Sequence, residues 1–218
     1  MQDKKTKYRI AVPKGALHQG SKDMLQQAGL QFEQLDRRLI LLTNNPEVEV
    51  LIVRPIDVPV YVENGAADLG IVGSDVLGEA ESQVLTLASF PFGHCELMVA
   101  VPKDSHIKKI SQIPDYSRVA TKFPNLSRQF FQQQGVPVEI IELYGSIEIA
   151  PLTGLSEAIV DLVATGKTLQ ENGLVKLETI SHHSARLIAN RVSWQINHEW
   201  IVQVITDMSA GRSKAPVE

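Results

Sequence analysis

Ala158-Ile159-Val160-Asp161-Leu162-Val163-Ala164-Thr165-Gly166-Lys167-Thr168-Leu169 carries the fold of this chain in miniature. A continuous apolar run of strand length passes into a small, hydroxyl-rich turn and then into a helical pattern that ends at Asn172-Gly173. In a strand–turn–helix of this kind several backbone N–H groups point one way, at the positive end of a helix. Gly166 has no side chain to block close approach, and the hydroxyls of Thr165 and Thr168 add donors. A phosphate monoester fits that concavity. Asp161, near the end of the strand, is placed to accept hydrogen bonds from sugar hydroxyls. The plainer alternative is a threonine helix cap, and the buried strand with its acid favours phosphate over it. Gly166-Lys167-Thr168 is not the end of a P-loop, because G-x-x-x-x-G-K-[ST] needs a glycine where this chain has Asp161.

The same alternation runs outward in both directions and predicts an α/β fold with a largely parallel sheet. Toward the N-terminus the strands are Arg9 to Pro13, Val48 to Arg54, Leu69 to Val72 and Glu96 to Val101. Between them lie a helix over His18 to Ala28, with Gly29 capping its end, and a second helix that Asp57 caps, with Pro59 at its second position and its stop at Gly65. Ser74 or Asp75 caps a further turn. Nearer the quoted stretch come a strand over Arg118 to Lys122, a helix from Asn125 to Gly135, a strand over Val138 to Leu143 and a short helix over Ser146 to Leu152. Beyond it, Leu174 to Ile180 and Ala185 to Ile188 read as strands and Val192 to Met208 as one helix. Gly211 to Glu218 is polar and expected to fray.

The polar stretch Pro102 to Pro114 is the expected crossing between two lobes. One lobe is 1–102 with 183–218 and the other is 103–182, which carries the turn. At 218 residues the chain has room for two such lobes of roughly 100 residues each. A cleft at strand C-termini is where folds of this kind bind ligands.

Composition narrows the function classes. Apolar content of 44% with 21% charged residues belongs to an ordinary globular protein, and a net charge of -4 gives no general attraction to nucleic acid or anionic membrane. The single cysteine, Cys95, excludes an internal disulfide. It follows Gly93-His94 at a strand start, where a buried, inert role is expected. One cysteine and histidines without ligand spacing argue against zinc. With no signal-like segment and no apolar run near the ~20 residues that span a bilayer, the expected location is the cytoplasm. Lys14-Gly15 after the first strand, Asp36-Arg37-Arg38, and Arg54 after the second strand all stand near element boundaries. Each alone reads as a solvated cation; together Lys14, Arg37 and Arg54 are enough to neutralise a pyrophosphate.

The segments taken in order resemble the ATP phosphoribosyltransferases of histidine biosynthesis. The resemblance rests on Arg9-Ile10-Ala11-Val12-Pro13-Lys14-Gly15, on Arg54 to Glu63 with Gly65 to Ile71, and on Arg118-Val119-Ala120-Thr121-Lys122-Phe123-Pro124-Asn125. Gly145 to Leu152, the turn itself and Ser184 to Asn190 complete it. It implies a two-lobe fold like that of type II periplasmic binding proteins, with the active site in the inter-lobe cleft. ATP and phosphoribosyl pyrophosphate are the implied substrates, and Mg2+ is carried by the pyrophosphate. The length suits the short form, which implies a regulatory subunit similar to histidyl-tRNA synthetase and a homodimer of catalytic subunits.

For the residues, the resemblance implies that Glu148, Asp161, Ala164, Thr165, Gly166, Lys167 and Thr168 bind phosphoribosyl pyrophosphate. Lys14, Arg37 and Arg54 would serve catalysis, and Gly15, Asp75 and Cys95 would frame ATP. The chain departs from the family at Ala16, where an arginine is usual, and at Ala164, where some relatives carry an acid. A non-catalytic binding module of the same fold and a nucleotide-dependent kinase are the alternatives, and turnover separates them.

Overall fold

A computed structural model of the chain describes residues 7–34 and 37–210. Leu35 and Asp36, the first six residues and the tail beyond Ala210 lie outside the described residues. In chain order the elements are β1 (Tyr8–Pro13), α1 (His18–Gln27), β2 (Ile40–Leu42), β3 (Val48–Val53), α2 (Val58–Glu63), β4 (Leu69–Gly73), α3 (Ser74–Ala80) and β5 (Leu85–Ser89). They continue with β6 (Cys95–Pro102), β7 (Ser117–Thr121), α4 (Pro124–Gln134), β8 (Val138–Glu142), α5 (Ile149–Leu152), β9 (Ala158–Val163), α6 (Lys167–Glu171) and β10 (Leu174–His183). The last are β11 (Ala185–Ala189), α7 (Arg191–Ile196) and α8 (His198–Ala210).

The chain forms two compact units, Met1–Gly93 with Ser184–Glu218, and His94–His183. The first crossing therefore falls at Gly93–His94 and not in the polar stretch 102–114. The residues that correct the expected boundary are those of β6: this strand pairs with β9 and β10 of the second unit, so backbone hydrogen bonding outweighs its neighbourhood in sequence.

The first unit's sheet has the order β2-β3-β1-β4-β11-β5, and the second unit's β10-β6-β9-β7-β8. In the first, β1, β3, β4 and β5 share one direction while β2 and β11 oppose them. In the second, β6 alone opposes β7, β8, β9 and β10. The expected parallel sheet is thus broken in each unit by a strand reached from the other, β11 after β10 and β6 after β5, and in the first unit also by the edge strand β2.

Both faces of each sheet are covered, which explains why the central strands read as unbroken apolar runs. In the first unit Ile10, Val12, Val50, Ile71 and Leu187 pack with Leu25, Ile201 and Val204 on one face, and Ala11, Leu51, Val72 and Ile188 with Val58 and Val62 on the other. In the second, Val99, Val119 and Val160 pack with Phe130 and Phe131, and Met98, Ala120 and Ile159 with Ile147, Ala150 and Leu169.

Three further expectations are corrected. The single helix over 192–208 is two, α7 and α8, because Asn190 accepts from the Val192 and Ser193 N–H groups to start one, and Asn197 is tied to Asp68 between them. The helix over 146–152 shrinks to α5, since Ser146 adopts φ +50. Asp57 precedes α2 without capping it by its side chain, behind a 3-10 turn over Pro55–Asp57. The strands with no sequence signal, β2 and β5, are the two edges of the first sheet, where the apolar pattern is weakest.

Candidate active site

In the second unit the strand–turn–helix forms as the sequence predicts, with β9 ending at Val163 and α6 starting at Lys167. Gly166 holds φ +77, ψ -2, and a Cβ there would meet no atom closer than Val163 Cγ1 at 3.9 Å. Backbone conformation, not crowding, is therefore what demands glycine. Helix α6 has 5 residues, so its dipole adds less than the sequence suggests, and neither threonine hydroxyl caps it. The donors the turn offers are the N–H groups of residues 165–168, which make no hydrogen bond among the described residues.

Val163, Ala164, Thr165, Gly166, Leu169 and Lys176 border a cavity of about 390 Å³ beside the turn. At its edge the Glu96 carboxylate accepts from Lys176 Nζ at 2.7 Å and Thr179 Oγ1 at 2.9 Å, and these bonds hold it below the usual glutamate range. Cys95 precedes Glu96 in the ladder that sets Glu96 against Val163, so it lies at the turn's end of the sheet. It is half-buried, which corrects the expectation of a buried thiol.

Asp161 shares the face of Ile159 and Val163 that α5 and α6 cover, and its side chain is 19% exposed. Burial pushes its carboxyl above the ordinary aspartate value. The Lys122 ammonium and the Leu162 N–H oppose that rise, and the charge of Glu148, at the start of α5, adds to it. Lys122 Nζ stands 3.5 Å from Asp161 Oδ1, and Leu162 N–H donates to the same oxygen at 2.8 Å. Glu148, Asp161 and the turn are thus brought together in one unit. Sequence reasoning gave no role to Lys122; the available signal was a lysine directly after a buried strand.

In the first unit Lys14, Gly15, Arg54 and Asp75 gather at the C-terminal edge of β1, β3 and β4. Lys14 N–H donates to Val53 O at 2.9 Å, which fixes the ends of β1 and β3 side by side. Gly15 turns the chain at φ +80 into the 3-10 turn Gly15–Leu17. Leu39 O accepts from Ile52 N–H, and Arg37 lies two residues before Leu39, in a bend outside the strands. Lys14, Arg37 and Arg54 are all exposed. Asp75, in the first turn of α3, is 8% exposed, and its Oδ1 lies over Gly73 where a Cβ would be. Its carboxylate makes no hydrogen bond to another described residue.

Two α/β units, each with one strand between two parallel neighbours (β1 between β3 and β4, β7 between β8 and β9) and a reversed strand next in the sheet (β11 beside β4, β6 beside β9), define the class of the type II periplasmic-binding-protein fold. A solved alkanesulfonate-binding protein from Xanthomonas axonopodis shares it at a TM-score of 0.64 over 94% of this chain and 73% of that one, with 14% identity. The sequence profile described as ATP phosphoribosyltransferase matches residues 54–210. An ATP phosphoribosyltransferase from Crocosphaera subtropica is 49% identical over 192 residues, covering 86% of this chain and 90% of that protein. A solved ATP phosphoribosyl transferase (HisG:HisZ) complex from Thermotoga maritima contains a chain with a TM-score of 0.83 and 32% identity, over 95% of this chain and all of that one. The chain belongs to the ATP phosphoribosyltransferase family. It is a pentosyltransferase of histidine biosynthesis, moving the phosphoribosyl group of phosphoribosyl pyrophosphate to N1 of ATP with release of pyrophosphate.

Proposed function

We propose that the turn Ala164–Thr168 holds the 5-phosphate of phosphoribosyl pyrophosphate while Glu148 and Asp161 hold its ribose hydroxyls. The observation that carries this is the left-handed Gly166 in a turn of unengaged N–H groups, following a strand that carries a mostly buried carboxylate. Lys14, Arg37 and Arg54 then screen the pyrophosphate, and Gly15, Asp75 and Cys95 frame the adenine of ATP. The reaction needs no covalent nucleophile. N1 attacks the anomeric carbon as pyrophosphate leaves, so positive charge grows on the ribose and negative charge on the leaving group. The residues orient two polyanions and stabilise those charges where they develop.

Among the described residues no group of three or more His, Cys, Asp or Glu side chains stands together to hold a metal ion. The magnesium ion is taken to arrive on the substrate's pyrophosphate, as a substrate complex. When bound, Mg2+ supplies further charge neutralisation there. Ala16 leaves the protein's share of that neutralisation to Lys14, Arg37 and Arg54.

The protein is taken to act in the cytoplasm, as a homodimer of catalytic subunits with a regulatory subunit similar to histidyl-tRNA synthetase; light scattering with and without that subunit tests the assembly. Among the described residues no helix is long and apolar enough to cross a membrane. Mixing the protein with ATP, phosphoribosyl pyrophosphate and Mg2+ and following adenine absorbance tests the reaction. Arg37→Ala should lower turnover far more than thermal stability, and unchanged kcat/KM for both substrates would remove Arg37 from the site.

A further inference from the structure

The ladder between β7 and β9 carries an ion pair at each end, Arg118–Glu157 at the start and Lys122–Asp161 four residues further along both strands. The first unit contains the same ladder between β1 and β4, with Ile10 against Leu69 where the second has Val119 against Ala158. Its starting clasp is also the same. Asp68 N–H donates to Arg9 O while its carboxylate accepts from Arg9 N–H; Glu157 N–H donates to Arg118 O while its carboxylate accepts from Arg118 N–H. The far ends differ. Counting along both strands, the counterparts of Lys122 and Asp161 are Pro13 and Val72. A ladder of this kind closes without a charge pair at its C-terminal end, so the fold does not require one.

We propose that Lys122 is a positioning residue of the transfer reaction: its ammonium holds the Asp161 carboxylate through Oδ1, so that Oδ2 receives the ribose hydroxyls. This rests on the reading that Asp161 binds the ribose. Both protein contacts to the carboxylate fall on Oδ1, and Oδ2 has no hydrogen bond among the described residues. The lysine's backbone is fixed from both sides. Thr121 Oγ1 accepts from Phe123 N–H at 2.9 Å, both of those residues are buried, and Pro124 starts α4 directly after. The charged groups that face Asp161 are Lys122 from the end of β7 and Glu148 from the start of α5; its sheet neighbours on that face, Met98, Ile159 and Val163, are apolar. Burial and Glu148 both favour the neutral acid, a weaker acceptor of hydroxyl hydrogen bonds, and Lys122 opposes them.

The test uses the full chain with Lys122→Met and Lys122→Arg. Steady-state kinetics with each substrate varied are set beside a carbon-13 titration of labelled aspartate carboxyls, the Asp161 signal being identified by its loss in Asp161→Asn. In Lys122→Met the KM for phosphoribosyl pyrophosphate should rise on the order of tenfold and that for ATP stay within about twofold. The acid limb of kcat/KM and the Asp161 titration should both move to higher pH, and Lys122→Arg should restore most of each. An Asp161 titration unmoved in Lys122→Met overturns the proposal whatever the substrate. A moved titration with an unaltered KM also overturns it, and Asp161→Asn then decides between the two ideas. If that variant keeps the wild-type KM, the reading of the site has failed, and not only the role of the lysine.

Discussion

The two sheets start alike and end differently. At the N-terminal ends of their central ladders an acid clasps the backbone of the neighbouring strand, Asp68 on Arg9 in the first unit and Glu157 on Arg118 in the second. At the C-terminal ends the first unit has buried apolar residues, with exposed Lys14 and Arg54 just beyond. The second has a mostly buried carboxylate and an open turn. What the two sheets have in common within their shared five-strand order is what that order needs, and where they diverge is where the proposed site residues stand.

Asp161→Asn should give the largest effect on activity. It keeps size and shape but removes the charge that is proposed to hold the ribose as positive charge grows on it. The kcat/KM for phosphoribosyl pyrophosphate should fall about a hundredfold or more, with the thermal midpoint held or raised. Asp68→Ala should do the reverse. Asp68 accepts from Arg9 N–H at 2.8 Å, Ser193 Oγ at 2.7 Å and Asn197 Nδ2 at 3.1 Å, so it ties β1, β4, α7 and the start of α8 together. Its removal should cost about 2–3 kcal/mol of stability by leaving three donors without their acceptor. The surviving folded protein should keep a near-normal KM for both substrates. An Asp68→Ala enzyme that is stable but inactive would break the division between structural and chemical ends.

Gly166→Ala comes next. Its Cβ meets open space, so the cost is that of a left-handed conformation for a residue with a side chain, about 1–2 kcal/mol. A five-residue helix has little else to hold the turn in place. The KM for phosphoribosyl pyrophosphate should rise several-fold, with only a small loss in thermal midpoint. A variant with the wild-type KM would show that the turn's backbone does not bind the phosphate.

The two ends were not equally legible in the sequence. Buried central strands announce themselves because both faces are apolar, and Gly166 after such a strand marks a turn whatever it binds. The edges β2 and β5 did not, since an edge strand half-exposed on one side has neither a clean alternation nor an unbroken apolar run. The crossing at Gly93 was hidden because nothing in β6 itself tells which sheet it will join. Lys122 was invisible as a functional residue for a related reason: its meaning lies in a carboxylate 39 residues away, across a ladder that sequence alone does not register. Asp161 was legible because it breaks an apolar run, which a buried strand tolerates only where the charge has a use.

The smallest expected effect is one of sign in the pH dependence of stability. Burial raises the Asp161 carboxyl, so the folded protein keeps that proton to a higher pH than the unfolded chain does. Between the ordinary aspartate value and the raised one the unfolded state binds fewer protons, and stability falls as pH rises. Glu157 is the opposite case. The hydrogen bond from Arg118 holds it low, so its contribution is present above the ordinary glutamate value and lost as pH falls through the lowered one. The pairs at the two ends of one ladder therefore pull stability in opposite directions with pH. Thermal midpoints measured without ligand from acid to neutral pH should show Asp161→Asn gaining on the wild type as pH rises. Glu157→Gln should lose ground over the same range. If the difference between Asp161→Asn and wild type stays flat with pH, the carboxylate costs the fold nothing, and its burial is no sign of a site maintained for a ligand.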